Sequence, residues 1–263
     1  TAYYGLLAAE RLGLDLDPAM LAPLSAPDWR GRPFARSSVL QAALLLLNAG
    51  DRAQGKRFML HLAESLSPED LASLAQLALT IDEPHIAVLL AKQGAERGVI
   101  LPAAYFPTPA LIPADGLAVS RAFALAIARR ESEFDPAARS KAGARGLMQL
   151  MPETAERTAK SLGLPFELSR LTSDPGYNAT LGSAFLAKLV EEFGPSVALV
   201  ASGYNAGPGR PRRWITEFGD PRQAGVDVVD WVEMIPLSET RTYVMRVAES
   251  LVIYRAKLRG SAG

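Results

Sequence analysis

Arg129-Arg130-Glu131-Ser132-Glu133-Phe134-Asp135-Pro136, followed by Gly146-Leu147-Met148-Gln149, is the stretch that decides how this chain is organised. Val119, Phe123, Ile127 and Phe134 recur ahead of it and through it as an apolar stripe. That spacing predicts a helix over 117–134, stopped by Asp135-Pro136. Glu131 lies on the edge of the stripe, with Ile127, Ala128 and Phe134 as its neighbours one turn away. A carboxyl half-buried beside Ile and Phe has its charged form disfavoured, so its pKa is expected to rise toward what a general acid needs. A lone glutamate in the last turn of a helix is more often a solvated surface residue, so spacing alone assigns it no role.

Beyond this stretch, residues 137–150 are punctuated by glycine, and Pro152-Glu153-Thr154 opens a further helix. Asp174-Pro175 precedes a helix to about Phe193, and Ser196–Tyr204 is a short one ended by Asn205-Ala206-Gly207-Pro208-Gly209. Val228–Met234 is a short apolar piece, and Ser238–Leu258 reads as a long closing helix. Upstream, residues 1–12 read as a helix ended by Gly13, and the proline-broken residues 13–35 as an irregular connection. Helices then follow in pairs. Ser37/Ser38 starts one that stops at Asn48-Ala49-Gly50, and Asp51 caps the next. Ser67-Pro68 opens a third helix, with Asp70 in its first turn, and Pro84 a fourth that reaches about Arg97. A shift of 32 residues lays Leu45, Leu47 and Asp51 over Leu77, Leu79 and Glu83, as in helix-hairpin repeats. No segment alternates in steps of two for long, so the fold class is all-α. Residues 102–113 carry four prolines and mark a boundary. This divides the chain into a helical-hairpin linker part, 1–106, and a second helical domain, 107–263. The start at Thr1, without Met, reads as a piece of something longer.

Composition removes several functions. Lys plus Arg and Asp plus Glu both number 28, so no basic field marks a nucleic-acid partner. There is no cysteine, which excludes disulfides, thiol nucleophiles and cysteine-based metal sites. The two histidines, His61 and His85, both precede the second domain, so that domain alone cannot supply a Ser/His/Asp triad or a histidine metal site. The longest apolar run, Ala42 to Leu47, is far too short for a membrane span.

Four ordered motifs resemble one family, the soluble lytic transglycosylases of bacteria within the lysozyme-like superfamily. Glu131-Ser132, Phe134 and Pro136 are similar to the first. Gly143-Ala144-Arg145-Gly146-Leu147-Met148-Gln149-Leu150-Met151-Pro152-Glu153-Thr154-Ala155 is similar to the second, and Tyr204-Asn205-Ala206-Gly207-Pro208-Gly209 to the third. Glu233, Ile235-Pro236, Glu239-Thr240-Arg241 and Tyr243-Val244 are similar to the fourth. The resemblance implies a lysozyme-like catalytic domain after the helical part. Its reaction would be non-hydrolytic cleavage of the MurNAc-β-1,4-GlcNAc bond of peptidoglycan, leaving 1,6-anhydroMurNAc ends.

One glutamate, Glu131, would serve as acid and then base, with neither metal nor cofactor. Most glycosidases need two carboxyls. By the same resemblance, Ser140 and Gln149 would reach the sugar or its acetamido group. Gly146 would allow close backbone approach or a positive φ. Of Met148 and Met151, one would line the groove and the other pack in the core. Tyr204 and Tyr243 would line the cleft. Asn205 would bind substrate or cap its helix, and Glu239 would orient substrate or close a capping box. The implied partners are peptidoglycan glycan strands and, through the helical part, other cell-wall enzymes. The implied location is the periplasm. Two rival readings stand beside it: a muramidase that hydrolyses the same bond with Asp135 or Asp174 activating water, and a glycan-binding scaffold without activity.

Overall fold

The structure is a computed structural model that describes residues 3–260. Fourteen α-helices, three short 3-10 turns and no strand occur among the described residues. Thr1 and Ala2, the first residues of the expected opening helix, lie outside them. The chain divides into two compact units, Asp17–Pro109 and Thr1–Leu16 with Ala110–Gly263. Helix α1 (Tyr3–Arg11), which the sequence reading placed with the hairpins, therefore groups with the second unit. The physical reason is its apolar face: Leu6 and Leu7 line a pocket with Val244, Leu251 and Val252 of the closing helix.

The smaller unit is built from two helix pairs, α2 (Ser38–Asn48) with α3 (Arg52–Ala63) and α4 (Pro68–Thr80) with α5 (Pro84–Glu96), followed by the single turn α6 (Pro102–Tyr105). Each start has a local cause. Ser37, Asp51 and Ser67 accept the backbone N–H of Val39, Gln54 and Asp70 with their side chains, and Pro68 and Pro84 occupy first-turn positions where no N–H is missed. Leu40, Met59, Leu71, Leu74, Ile86 and Leu90 form the core between the pairs. Arg97 donates to the carbonyls of Ala63 and Leu66 at 3.0 and 2.6 Å, which satisfies the end of α3 and ties the two hairpins together.

The larger unit runs through α7 (Arg121–Glu131), α8 (Pro152–Ser161), α9 (Arg170–Ser173), α10 (Pro175–Phe193), α11 (Val197–Ala206), α12 (Gly209–Phe218), α13 (Val228–Glu233) and α14 (Ser238–Gly260). Helix α7 is shorter than the expected 117–134. Ser120 caps its start by accepting the Phe123 N–H at 3.3 Å, and the chain leaves the helix at Ser132. Glu133 and Phe134 then take left-handed backbone conformations, φ 52° and 66°. Phe134 is fully buried even so, which satisfies the apolar pattern without a helix. Helix α12 lies in a stretch the sequence reading left between elements. It is anchored by buried Pro211 and Trp214. No helix among the described residues is long and apolar enough to cross a membrane.

The segment after α7 is held from two sides. Ser132 Oγ donates to the carbonyl of Leu147 at 2.7 Å. Asn178, on α10 and fully buried, accepts the Met148 N–H at 2.8 Å and donates to the carbonyls of Arg145 and Leu171 at 3.0 and 2.9 Å. Removing one partner of a buried hydrogen bond leaves the other unsatisfied, at about 1–3 kcal/mol each. Asn178→Ala should therefore lose about 3 kcal/mol or more of stability by the same logic applied to three bonds. Chemical denaturation checks this. A loss under about 1 kcal/mol would mean the three groups find other partners.

Candidate active site

Glu131 is the last residue of α7, so its position follows from where that helix ends. Part of its surface stays open to solvent. Burial of the carboxyl pushes its pKa up to about 7, against an ordinary value of 4.5. A hydrogen bond from Tyr243 and the charge of Arg130 oppose that rise, and the charge of Glu239 adds to it. Tyr243 Oη donates to Glu131 Oε1 at 2.7 Å. Tyr243 is itself buried on α14, and burial followed by the charge of Glu131 holds its phenol well above its ordinary pKa. It is therefore a proton donor to the carboxylate around neutral pH. Arg130 stacks its guanidinium over the Tyr243 ring at 5.8 Å.

Tyr204 stands close enough to Glu131 for that charge to raise its pKa, after burial, the larger cause. Its hydroxyl donates to the Met148 carbonyl at 2.8 Å, and its ring packs on Phe185 with centroids 5.3 Å apart. Glu131, Arg130, Tyr204, Tyr243 and Glu239 therefore form one cluster, drawn from α7, α11 and α14.

The remaining expected residues fall into place differently. Gly146 has φ 76°, and a Cβ there would run into the Leu171 carbonyl and the Asn178 amide. Its need for glycine comes from the clamp on the loop. Gln149 also has a left-handed backbone, φ 47°, and its amide donates to the carbonyls of Ala138 and Gly146 at 3.1 and 2.9 Å. Ser140 accepts the Ala144 N–H at 3.0 Å and closes the exposed loop. Met148 is fully buried, with its side chain against Gly182. Met151 is exposed.

Asn205 does not cap α11, because Gly207, at φ 82°, ends that helix. Asn205 instead accepts a hydrogen bond from Thr240 Oγ at 2.7 Å, which ties α11 to the start of α14. Glu239 is exposed in the first turn of α14. Arg241 donates to the carbonyls of Glu233 and Ile235 at 3.1 and 3.3 Å. Asp135 accepts the Ala137 N–H at 3.0 Å, as a turn residue does. Asp174 caps α10 and is held below its ordinary pKa by the Tyr177 N–H and by Arg170. Sequence reasoning missed Asn178. Its signal was a single amide among the apolar positions of α10, a residue that must find partners when buried.

The description "Transglycosylase SLT domain" matches residues 112–225. The chain is similar to the soluble lytic murein transglycosylase of Escherichia coli, at 39% identity over 142 residues, 53% of this chain and 21% of that protein. The crystal structure of the 70 kDa soluble lytic transglycosylase from Escherichia coli superposes with a TM-score of 0.84 at 28% identity, over 98% of this chain and 41% of that one. An inactive mutant of lytic transglycosylase Slt from Pseudomonas aeruginosa gives 0.80 at 30% identity, with the same coverage. The chain thus spans less than half the length of these relatives.

Burial of Glu131 has a consequence for stability. Its folded pKa lies above its unfolded one, so the protonated group favours the fold. That contribution is complete below about 4.5 and is lost as pH rises through about 7. Glu131→Gln, which is always neutral, should therefore become progressively more stable than the parent between these pH values. Thermal unfolding of both proteins across the range checks this, and parallel curves would contradict a buried, titrating Glu131.

Proposed function

We propose that this chain is the catalytic part of a peptidoglycan lytic transglycosylase that cleaves the MurNAc-β-1,4-GlcNAc bond without water, acting in the periplasm. The observation that carries this reading is a carboxyl poised near neutral pH, with one oxygen held by a buried phenol whose pKa is raised well above its ordinary value. Tyr243 occupies Oε1, which leaves Oε2 of Glu131 to carry the exchangeable proton. In the first half-reaction that proton passes to the bridging oxygen and the bond from the muramoyl C1 to that oxygen breaks. GlcNAc leaves as an alcohol, and the substrate's own acetamido group supports the cationic C1. In the second half-reaction the Glu131 carboxylate takes the proton of the muramoyl C6 hydroxyl. The C6 oxygen then closes on C1 to give the 1,6-anhydro end. Glu131 finishes protonated as it began, and no atom of water enters.

A pKa close to the working pH serves both steps, because the group must give a proton and then recover one. Tyr243 stabilises the carboxylate formed midway, through a charge-assisted hydrogen bond. The carboxylates that a hydrolytic rival would recruit, Asp135 and Asp174, are engaged in a turn and a helix cap. The names of the relatives support the same class, and the Pseudomonas aeruginosa relative is described as inactive in a glutamate-to-glutamine mutant.

Glu131→Gln should lower the rate of sacculus clearance by at least about a thousandfold, since it removes the only proposed acid and base (general acid–base terms are about 10²–10⁴-fold each). Mass analysis of fragments released by the parent should show ends one water lighter than reducing ends. Reducing ends alone would make the enzyme a hydrolase, and undiminished clearance by the variant would remove Glu131 from the chemistry.

A further inference from the structure

Arg130 is an exposed cation beside the reacting carboxyl. Its guanidinium rests over the Tyr243 ring, and no hydrogen bond or ion pair joins it to a carboxylate among the described residues. The neighbouring arginine behaves differently: Arg129 is buried and lies 3.6 Å from Glu133. Arg212 and Arg222, exposed in the same unit, are paired with Glu192 and Asp220, whereas Arg130 is set apart by its place beside Glu131 and over the Tyr243 ring. Glu239, the other exposed charge felt by Glu131, is not bridged to Arg130 either. An arginine stacked on an aromatic face keeps its planar fork oriented while its N–H groups stay available, which suits it to a carboxylate.

We infer that Arg130 is a specificity-determining residue that binds a substrate carboxylate next to the scissile bond. This inference rests on the reading of Glu131 as the acid of a peptidoglycan-cleaving site. The glycan has two sources of such a group near the bond. In peptide-free strands the lactyl substituent of MurNAc ends in a free carboxylate. In peptide-bearing strands that position is an amide, and the carboxylates lie on the stem peptide. The shared chemistry is an anionic carboxylate recognised by a guanidinium. The nearness of Arg130 to Glu131 adds a second effect, because a cation there favours the carboxylate form of the acid. Neutralising Arg130 with a bound carboxylate would weaken that pull and leave Glu131 better protonated for the first proton transfer.

The test separates binding from cleavage. Glycan fragments of defined length, peptide-free or peptide-bearing, are titrated calorimetrically into the Glu131→Gln protein and into the same protein carrying Arg130→Gln. Each fragment is used with its carboxylates free and after conversion to methylamides. Loss of a charge-assisted contact should weaken binding of the free-carboxylate fragment about tenfold. On the amidated fragment the loss should be several-fold smaller. Arg130→Lys should recover part of the difference, because it keeps the charge without the fork. Loss confined to peptide-free fragments assigns the lactyl carboxylate, and loss confined to peptide-bearing ones assigns the stem. Equal losses on free and amidated fragments, or no loss on either, overturn the inference. Because binding is read in proteins lacking the acid, a failure of the cleavage mechanism shows separately, as a parent that releases no anhydro ends.

Discussion

The hydrogen bond from Ser132 to the Leu147 carbonyl ties the end of α7 to the loop behind it, and most of the site depends on that junction. A helix continuing to Phe134 would keep the following residues in its own hydrogen-bond ladder. Instead the chain turns through two left-handed residues, buries Phe134 and delivers Glu131 at the helix end. Left-handed φ at bulky residues persists only where surrounding contacts enforce it. Here the contacts are the buried Phe134 ring, the Ser132 hydroxyl and the loop that Asn178 clamps from α10. The same loop supplies the Met148 carbonyl that positions Tyr204. One buried polar network thus ties α7, α10 and α11 together behind the carboxyl.

Four influences of unequal size act on the Glu131 carboxyl. Burial wins and lifts the pKa to about 7, while Tyr243 and Arg130 keep it from rising further. Tyr243 is buried and its phenol is held well above its ordinary pKa, so it donates to Glu131 through the neutral range. Arg130 is exposed, so its contribution is open to screening and to compensation by a bound anion. The acid is therefore held by one fixed partner and tuned by one adjustable one.

Much of the helical scaffold was legible locally. Ser37, Asp51, Ser67, Asp174 and Ser196 stand at helix starts and accept the N–H groups that their identity predicts. What was not legible came from tertiary forces. Nothing in Ser132-Glu133-Phe134 announces two left-handed residues, since neither glycine nor proline marks the break before Pro136. The pairing of Glu131 with Tyr243 spans 112 residues and has no periodic signature, so only likeness to a family brought the two into one discussion. Gly146, Met148 and Gln149, named by the same likeness, also have structural partners. Their identities answer to the loop's backbone, to the core and to two carbonyls. Helix α12 was hidden by its glycine, proline and arginine content, with buried Trp214 as the residue that should have shown it.

The proposed chemistry turns on a carboxyl that burial keeps half-protonated near neutral pH. The most direct measurement is a carbon-13 NMR titration of the Glu131 side-chain carboxyl, assigned by comparison with Glu131→Gln. The structure predicts a midpoint near 7, displaced from the ordinary 4.5. A midpoint close to 4.5 would show the carboxylate to be solvated and already ionised, and would contradict its proposed role as the proton donor.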